Sequence, residues 1–86
     1  MISVYHRNRP TFMASNGARE EFPKGFTFMG DVATDNPNEA YQLSNNIDGA
    51  WRPEAPCRST SVGDVLVMDA GKGARLEVDS LGFNSF

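Results

Sequence analysis

The sequence predicts a small α+β domain: a mixed β-sheet in the order β-β-α-β-β, one helix packed on one face, and a C-terminal β-hairpin. Three observations predict it. Residues 1–7, MISVYHR, alternate with period two. Residues 36–49 set an apolar stripe of helical spacing between a capping signal and a glycine stop. Residues 64–79 place two apolar runs on either side of a glycine-rich turn, DAGKGA.

In the first strand, Ile2, Val4 and His6 share one face and Ser3, Tyr5 and Arg7 the other. Asn8-Arg9-Pro10 ends it. Residues 8–25 hold TFMAS, a turn signal at SNG, and GAREEFPKG, which has room for one helical turn before Pro23. A connection this long is unusual in a compact domain, so the expectation is a short element or an irregular, mobile connection that carries function. The second strand, FTFMGDVAT, spans Phe26 to Thr34. Strict alternation groups Phe26, Phe28, Gly30 and Val32 on one face, and Thr27, Met29, Asp31 and Ala33 on the other.

The helix opens with Asn36 as N-cap, Pro37 in the first helical position and Glu39 three residues after the cap. Ala40, Leu43 and Ile47 form its apolar stripe, and Asp48-Gly49 stops it. Trp51 folds back over the helix end or the sheet. RPEAPC is a loop with two prolines. Val65 to Met68 is continuously apolar, the mark of a strand covered on both faces. In RLEVDS, Leu76 and Val78 point inward and Arg75, Glu77 and Asp79 outward. The β-α-β step predicts a right-handed crossover between parallel strands, hence the mixed sheet.

The chain has 86 residues, which is one domain, with 40% hydrophobic, 10% aromatic and 22% charged residues. That composition belongs to a folded domain rather than a disordered one. Eight basic and eleven acidic residues give a net charge of −3. A protein that wraps nucleic acid needs clustered Lys and Arg, and only Arg7 and Arg9 stand close. The single cysteine, Cys57, excludes an internal disulfide and fits a reducing cytoplasm. There is no apolar signal segment and no run of membrane-spanning length, so the expectation is a soluble cytoplasmic protein.

Candidate chemistry is sparse. Asp64, Asp69 and Asp79 sit at strand ends, where Asp serves turn geometry more often than metal or acid–base work. AGKGA lacks phosphate-loop spacing and has no helix after it. Ser59-Thr60-Ser61 lacks a base, because the only histidine, His6, is remote in sequence. No motif calls for a cofactor or a metal. The aromatic residues are numerous: six Phe, two Tyr and one Trp. Phe12, Phe22, Phe83 and Phe86 lie in irregular or terminal segments and are candidates for an exposed interaction patch. With Arg7, Arg9 and Trp51 they form the candidate binding set.

The motifs of the C-terminal half then carry a resemblance. EAYQLSNNIDGAW, RSTSVGDVLVMD and VDSLGF are similar to segments of small proteins encoded by phages of actinobacteria. This half resembles the YodL-like domain, with its S-V-G-D-V strand entry, hairpin and D-S-x-G-F end. The matching residues are Ser61, Val62, Gly63, Asp64 and Val65, then Asp79, Ser80, Gly82 and Phe83. VYHR resembles the opening strand of such phage proteins. The resemblance covers most of the chain except residues 8–25 and 52–57. It implies a phage or mobile-element protein and supplies no catalytic residues to carry over. A bacterial namesake is associated with inhibiting actin-like cell-shape machinery, which implies protein binding.

The expectation is therefore a small non-enzymatic protein that binds and modulates a host or defence-related protein. The alternatives are a nucleic-acid-associated accessory protein, resting on Arg7, Arg9, Arg58 and the Gly-Asp strand entry, and a virion or assembly component. A sheet edge or the apolar C-terminus could also pair two copies. Ser61, Gly63, Asp64, Asp79 and Gly82 are read as structural markers: Gly63 permits a positive φ, and Asp64 ties the turn.

Overall fold

The computed structural model describes residues 1–8, 22–46, 49, 51–80 and 82–86. It is an α+β domain built on a five-stranded sheet. The elements are β1 (Ile2–Arg7), β2 (Phe26–Val32), α1 (Pro37–Leu43), β3 (Val65–Val67), α2 (Met68–Gly71), β4 (Arg75–Asp79) and β5 (Gly82–Ser85). The strands lie in the order β2-β1-β3-β4-β5, and every neighbouring pair is antiparallel.

The mixed sheet expected from the β-α-β step is thus corrected. β2 and β3 both run antiparallel to β1, so they are parallel to each other, but β1 lies between them. Ile2, Ser3 and Val4 are each 2% exposed or less, and a strand buried on both faces belongs at the centre of a sheet. The crossover from β2 through α1 to β3 passes over it. The hairpin of residues 64–79 forms as β3 and β4. The C-terminal GFNS then adds a fifth strand on β4.

One face of the sheet is a continuous core. Ile2, Val4, Val32, Leu66 and Val78 pack with Ala40 of α1, and Tyr41, Trp51, Leu76 and Phe83 close around them. α1 starts as its sequence dictates: Asn36 Oδ1 accepts from the N–H groups of Asn38 (2.9 Å) and Glu39 (3.5 Å). It ends at Leu43, earlier than the stripe implied. Ser44 is fully buried and turns its hydroxyl back to the Ala40 carbonyl at 2.8 Å. The inward side of the helix is therefore Ala40 and Ser44, while Leu43 is 47% exposed. Ile47 and Asp48 lie outside the described residues.

The second correction concerns β2. β1 and β2 pair as Val4 with Gly30 and Tyr5 with Phe28, so one step on β1 spans two on β2. This β-bulge reverses the facing of everything before it. Val32 and Gly30 stay with the core face of β1, but Phe28 and Phe26 move to the face of Tyr5 and Arg7. Gly30, at φ 145°, supplies the backbone freedom the bulge needs.

Candidate interaction surface

The bulge assembles an aromatic cluster on the face away from α1. Tyr5 lies 4.8 Å edge-on from Phe22 and 5.4 Å from Phe28, centroid to centroid. Phe22 also meets Phe26 at 5.2 Å and Phe86 at 6.0 Å, both edge-to-face. These spacings lie within the range of favourable ring pairs. Four of the rings are partly buried, and Phe28 is 52% exposed. Ser3, Val65 and Val67 are buried on this face too, so the strand centres are covered while the β2 side stays open.

Two guanidinium groups stack on the cluster. Arg75 Cζ lies 4.8 Å from the Phe86 centroid and 5.9 Å from that of Phe22, and Arg7 Cζ lies 5.7 Å from that of Phe26. Arg7 Nε is buried without a hydrogen-bond partner among the described residues.

At the far end of β1 a buried polar clasp ties the strand to the turn before β3. Asp64 is fully buried and accepts from the Arg7 N–H (2.8 Å), the Ser61 N–H (2.8 Å) and both terminal nitrogens of Arg58 (2.6 and 2.7 Å). Arg58 also donates to the Arg7 carbonyl at 3.1 Å. The charge-assisted bonds to Asp64 raise the Arg58 pKa above its usual value. Gly63 takes φ 95° and donates its N–H to the Val78 carbonyl at 2.9 Å. The S-V-G-D-V stretch is thus a strand entry locked by its Asp.

His6 belongs to this clasp. Remoteness in sequence misplaced it: its Nε2 lies 2.9 Å from Thr60 Oγ1 and 4.0 Å from Asp64 Oδ2. A nucleophile relay needs the carboxylate on the opposite ring nitrogen and an open nucleophile. Here both partners meet the same nitrogen, and Thr60, His6 and Asp64 are 1%, 5% and 0% exposed. The trio is a tie between β1 and the crossover. Burial lowers the His6 pKa below its ordinary 6.5, against the raising effect of Asp64. Among the described residues no three His, Cys, Asp or Glu side chains gather into a metal-binding group.

The candidate binding set therefore divides. Phe22, Phe86 and Arg7 come together on the aromatic face. Trp51 and Phe83 pack against the core on the other face, and Trp51 lies 6.3 Å from the His6 ring. Phe12 and Arg9 lie outside the described residues, as does most of the 8–25 connection. Asp79 and Gly82 form the β4–β5 turn. Asp79 accepts from Asn84 Nδ2 (2.8 Å) and the Ser80 N–H (2.6 Å), which lowers its pKa, and Gly82 takes φ 145°. Sequence reasoning missed Tyr5, Phe26, Phe28 and Arg75 as surface members. Gly30 inside a strand pattern was the available signal for the bulge that regroups them.

A separate groove of about 470 Å³ runs between residues 29–33, at the end of β2 and just after it, and residues 51–55 of the crossover. Leu43 and Trp51 line it with Arg52, Glu54 and Asp31, without a dominant charge. Among the described residues no helix is long and apolar enough to cross a membrane. No protein-family model, curated protein or solved structure matches this chain.

Proposed function

We propose that the chain is a non-enzymatic protein-binding module of a phage or mobile element, acting on a host or defence-related protein in the bacterial cytoplasm. The observation that carries the binding role is the aromatic face: five rings in contact, one of them half exposed, on a sheet whose other face holds the core. Clustered aromatic residues beside Arg are the side chains that dominate protein–protein contacts. The phage setting and the host target rest on the YodL-like motifs alone. The cytoplasmic setting rests on those motifs and the lone cysteine.

The test is a tagged pulldown from host lysate, with and without phage infection, using the wild-type chain and Phe28→Asp in parallel. A stoichiometric partner held by the wild type and lost by the variant supports the reading. No partner, or one held equally by both, overturns it.

The stacked arginines favour a second reading, a single-stranded nucleic-acid surface, since such surfaces also combine Arg with aromatic rings. A salt-dependent gel shift would support it, and no shift at low salt would remove it.

A further inference from the structure

We propose that residues 51–55 of the crossover form a proton-released flap: neutral His6 lets Trp51 and Arg52 seat against the sheet, and protonation of His6 lifts them off while the sheet stays folded. The flap lies on the core side of the sheet, away from the aromatic surface.

The surroundings of His6 leave no place for a second cation. It is 5% exposed. Among the described residues, the turn before β3 sets Asp64 near it, the crossover brings Arg58 and Arg52, and β2 places the uncharged Thr27 opposite it. Asp64 already has its counterion: the two terminal nitrogens of Arg58 and the N–H groups of Arg7 and Ser61 occupy its oxygens. His6 Nε2 stands 4.0 Å from Asp64 Oδ2, beyond hydrogen-bond reach, and 2.9 Å from Thr60 Oγ1. An imidazolium therefore adds a net positive charge to a buried site, and Arg52 and Arg58 both repel it.

Trp51 and Arg52 are the part of this enclosure that can yield. Residues 53–56 are exposed, and the groove of about 470 Å³ separates residues 51–55 from residues 29–33, so the segment is not packed down along its length. It rests on β2 at Gly30, where Trp51 Cζ3 and Arg52 Nε each lie 3.9 Å from the place a Cβ would take. Its hydrogen bonds run to the end of α1 instead. Asn46 Oδ1 accepts from the Trp51 N–H at 3.0 Å, and Asn46 Nδ2 donates to the Cys57 carbonyl at 2.6 Å. These bonds persist when the segment leaves the sheet.

Lifting removes two of the causes that disfavour the imidazolium. One is burial by the Trp51 ring, 6.3 Å from that of His6, and the other is the charge of Arg52. The lifted state binds the proton more tightly, so each proton bound favours it. Arg58 stays on Asp64 throughout, which keeps the entry to β3 locked. The flap is closed at neutral pH and opens as pH falls below 6.5.

The chain has one histidine and one tryptophan, so both ends of the device are read in the full protein. The experiment titrates the His6 ring by NMR from about pH 7.5 to pH 5 and follows Trp51 emission, acrylamide quenching and far-UV circular dichroism over the same range. Trp51 emission should move to longer wavelength and become quenchable with the midpoint of the His6 titration, while the circular dichroism is unchanged. His6→Gln should lose the shift. A Trp51 that stays shielded while His6 titrates, an emission change that comes only with loss of circular dichroism, or the same shift in His6→Gln overturns the proposal. If His6→Gln does not fold, the two wild-type midpoints decide: coincidence supports the flap, and separation overturns it.

Discussion

The two faces of the sheet are built from different chemistry. The face under α1 has an aliphatic, closed centre: Ile2, Val4 and Leu66 are each 0% exposed and pack against Ala40 and one another, with Tyr41, Trp51 and Phe83 around them. The opposite face is aromatic and half open, with stacked arginines and Phe28 at its exposed side. Aliphatic side chains in a dense core derive their value from being dry and close-packed. Rings and guanidinium groups keep much of theirs at a surface, where they can recognise a second molecule. On the proposed reading, folding rests on one face and recognition on the other, and each substitution below tests one side of that division.

Leu66→Ala should have the largest effect on stability. It empties a fully buried position on the central β3 strand. The expected loss is about 2–5 kcal/mol, read as a fall in urea midpoint. Asp64→Ala comes next, at about 3 kcal/mol, because it strands the Arg7 and Ser61 N–H groups and one side of Arg58. Arg58 is 46% exposed, so water recovers part of the loss. A midpoint within error of wild type for either variant would remove the closed core or the clasp from the account.

His6 sharpens the comparison through pH. Its folded pKa is lowered, so the unfolded chain binds the proton more tightly. The associated stability is complete above the ordinary His range and is lost as pH falls through 6.5 toward the folded value. His6→Gln retains a hydrogen-bonding group toward Thr60 but does not titrate. It should flatten the fall in stability between about pH 7.5 and pH 5, measured by urea unfolding across that range. An unchanged slope would place the sensitivity elsewhere.

Much of this architecture was legible in the sequence. The period of β1, the cap of α1 and the apolar run of β3 each follow from local chemistry. So does Gly63, whose positive φ and neighbouring Asp64 form the expected turn. What escaped is non-local. That β1 inserts between β2 and β3 depends on which strand is best buried on both sides, and no window of sequence states it. The β2 bulge needs one extra residue opposite Val4 and Tyr5, and it moves Phe26 and Phe28 to another face. His6 and Thr60 are 54 positions apart, and only the crossover brings them to 2.9 Å. The aromatic surface was half seen: Phe22, Phe86 and Arg7 were named, but Tyr5, Phe26, Phe28 and Arg75 join them through register alone.

The smallest expected effect on stability is also the most direct test of the division between the faces. Phe28 is half exposed and, among the described residues, its ring meets only that of Tyr5, so Phe28→Asp should lower stability by about 1–1.5 kcal/mol. The decisive measurement pairs that urea midpoint with partner retention in the pulldown. The account predicts a midpoint well above that of Leu66→Ala together with loss of the partner. A midpoint that falls as far as that of Leu66→Ala, or a partner held as firmly as by the wild type, would contradict it.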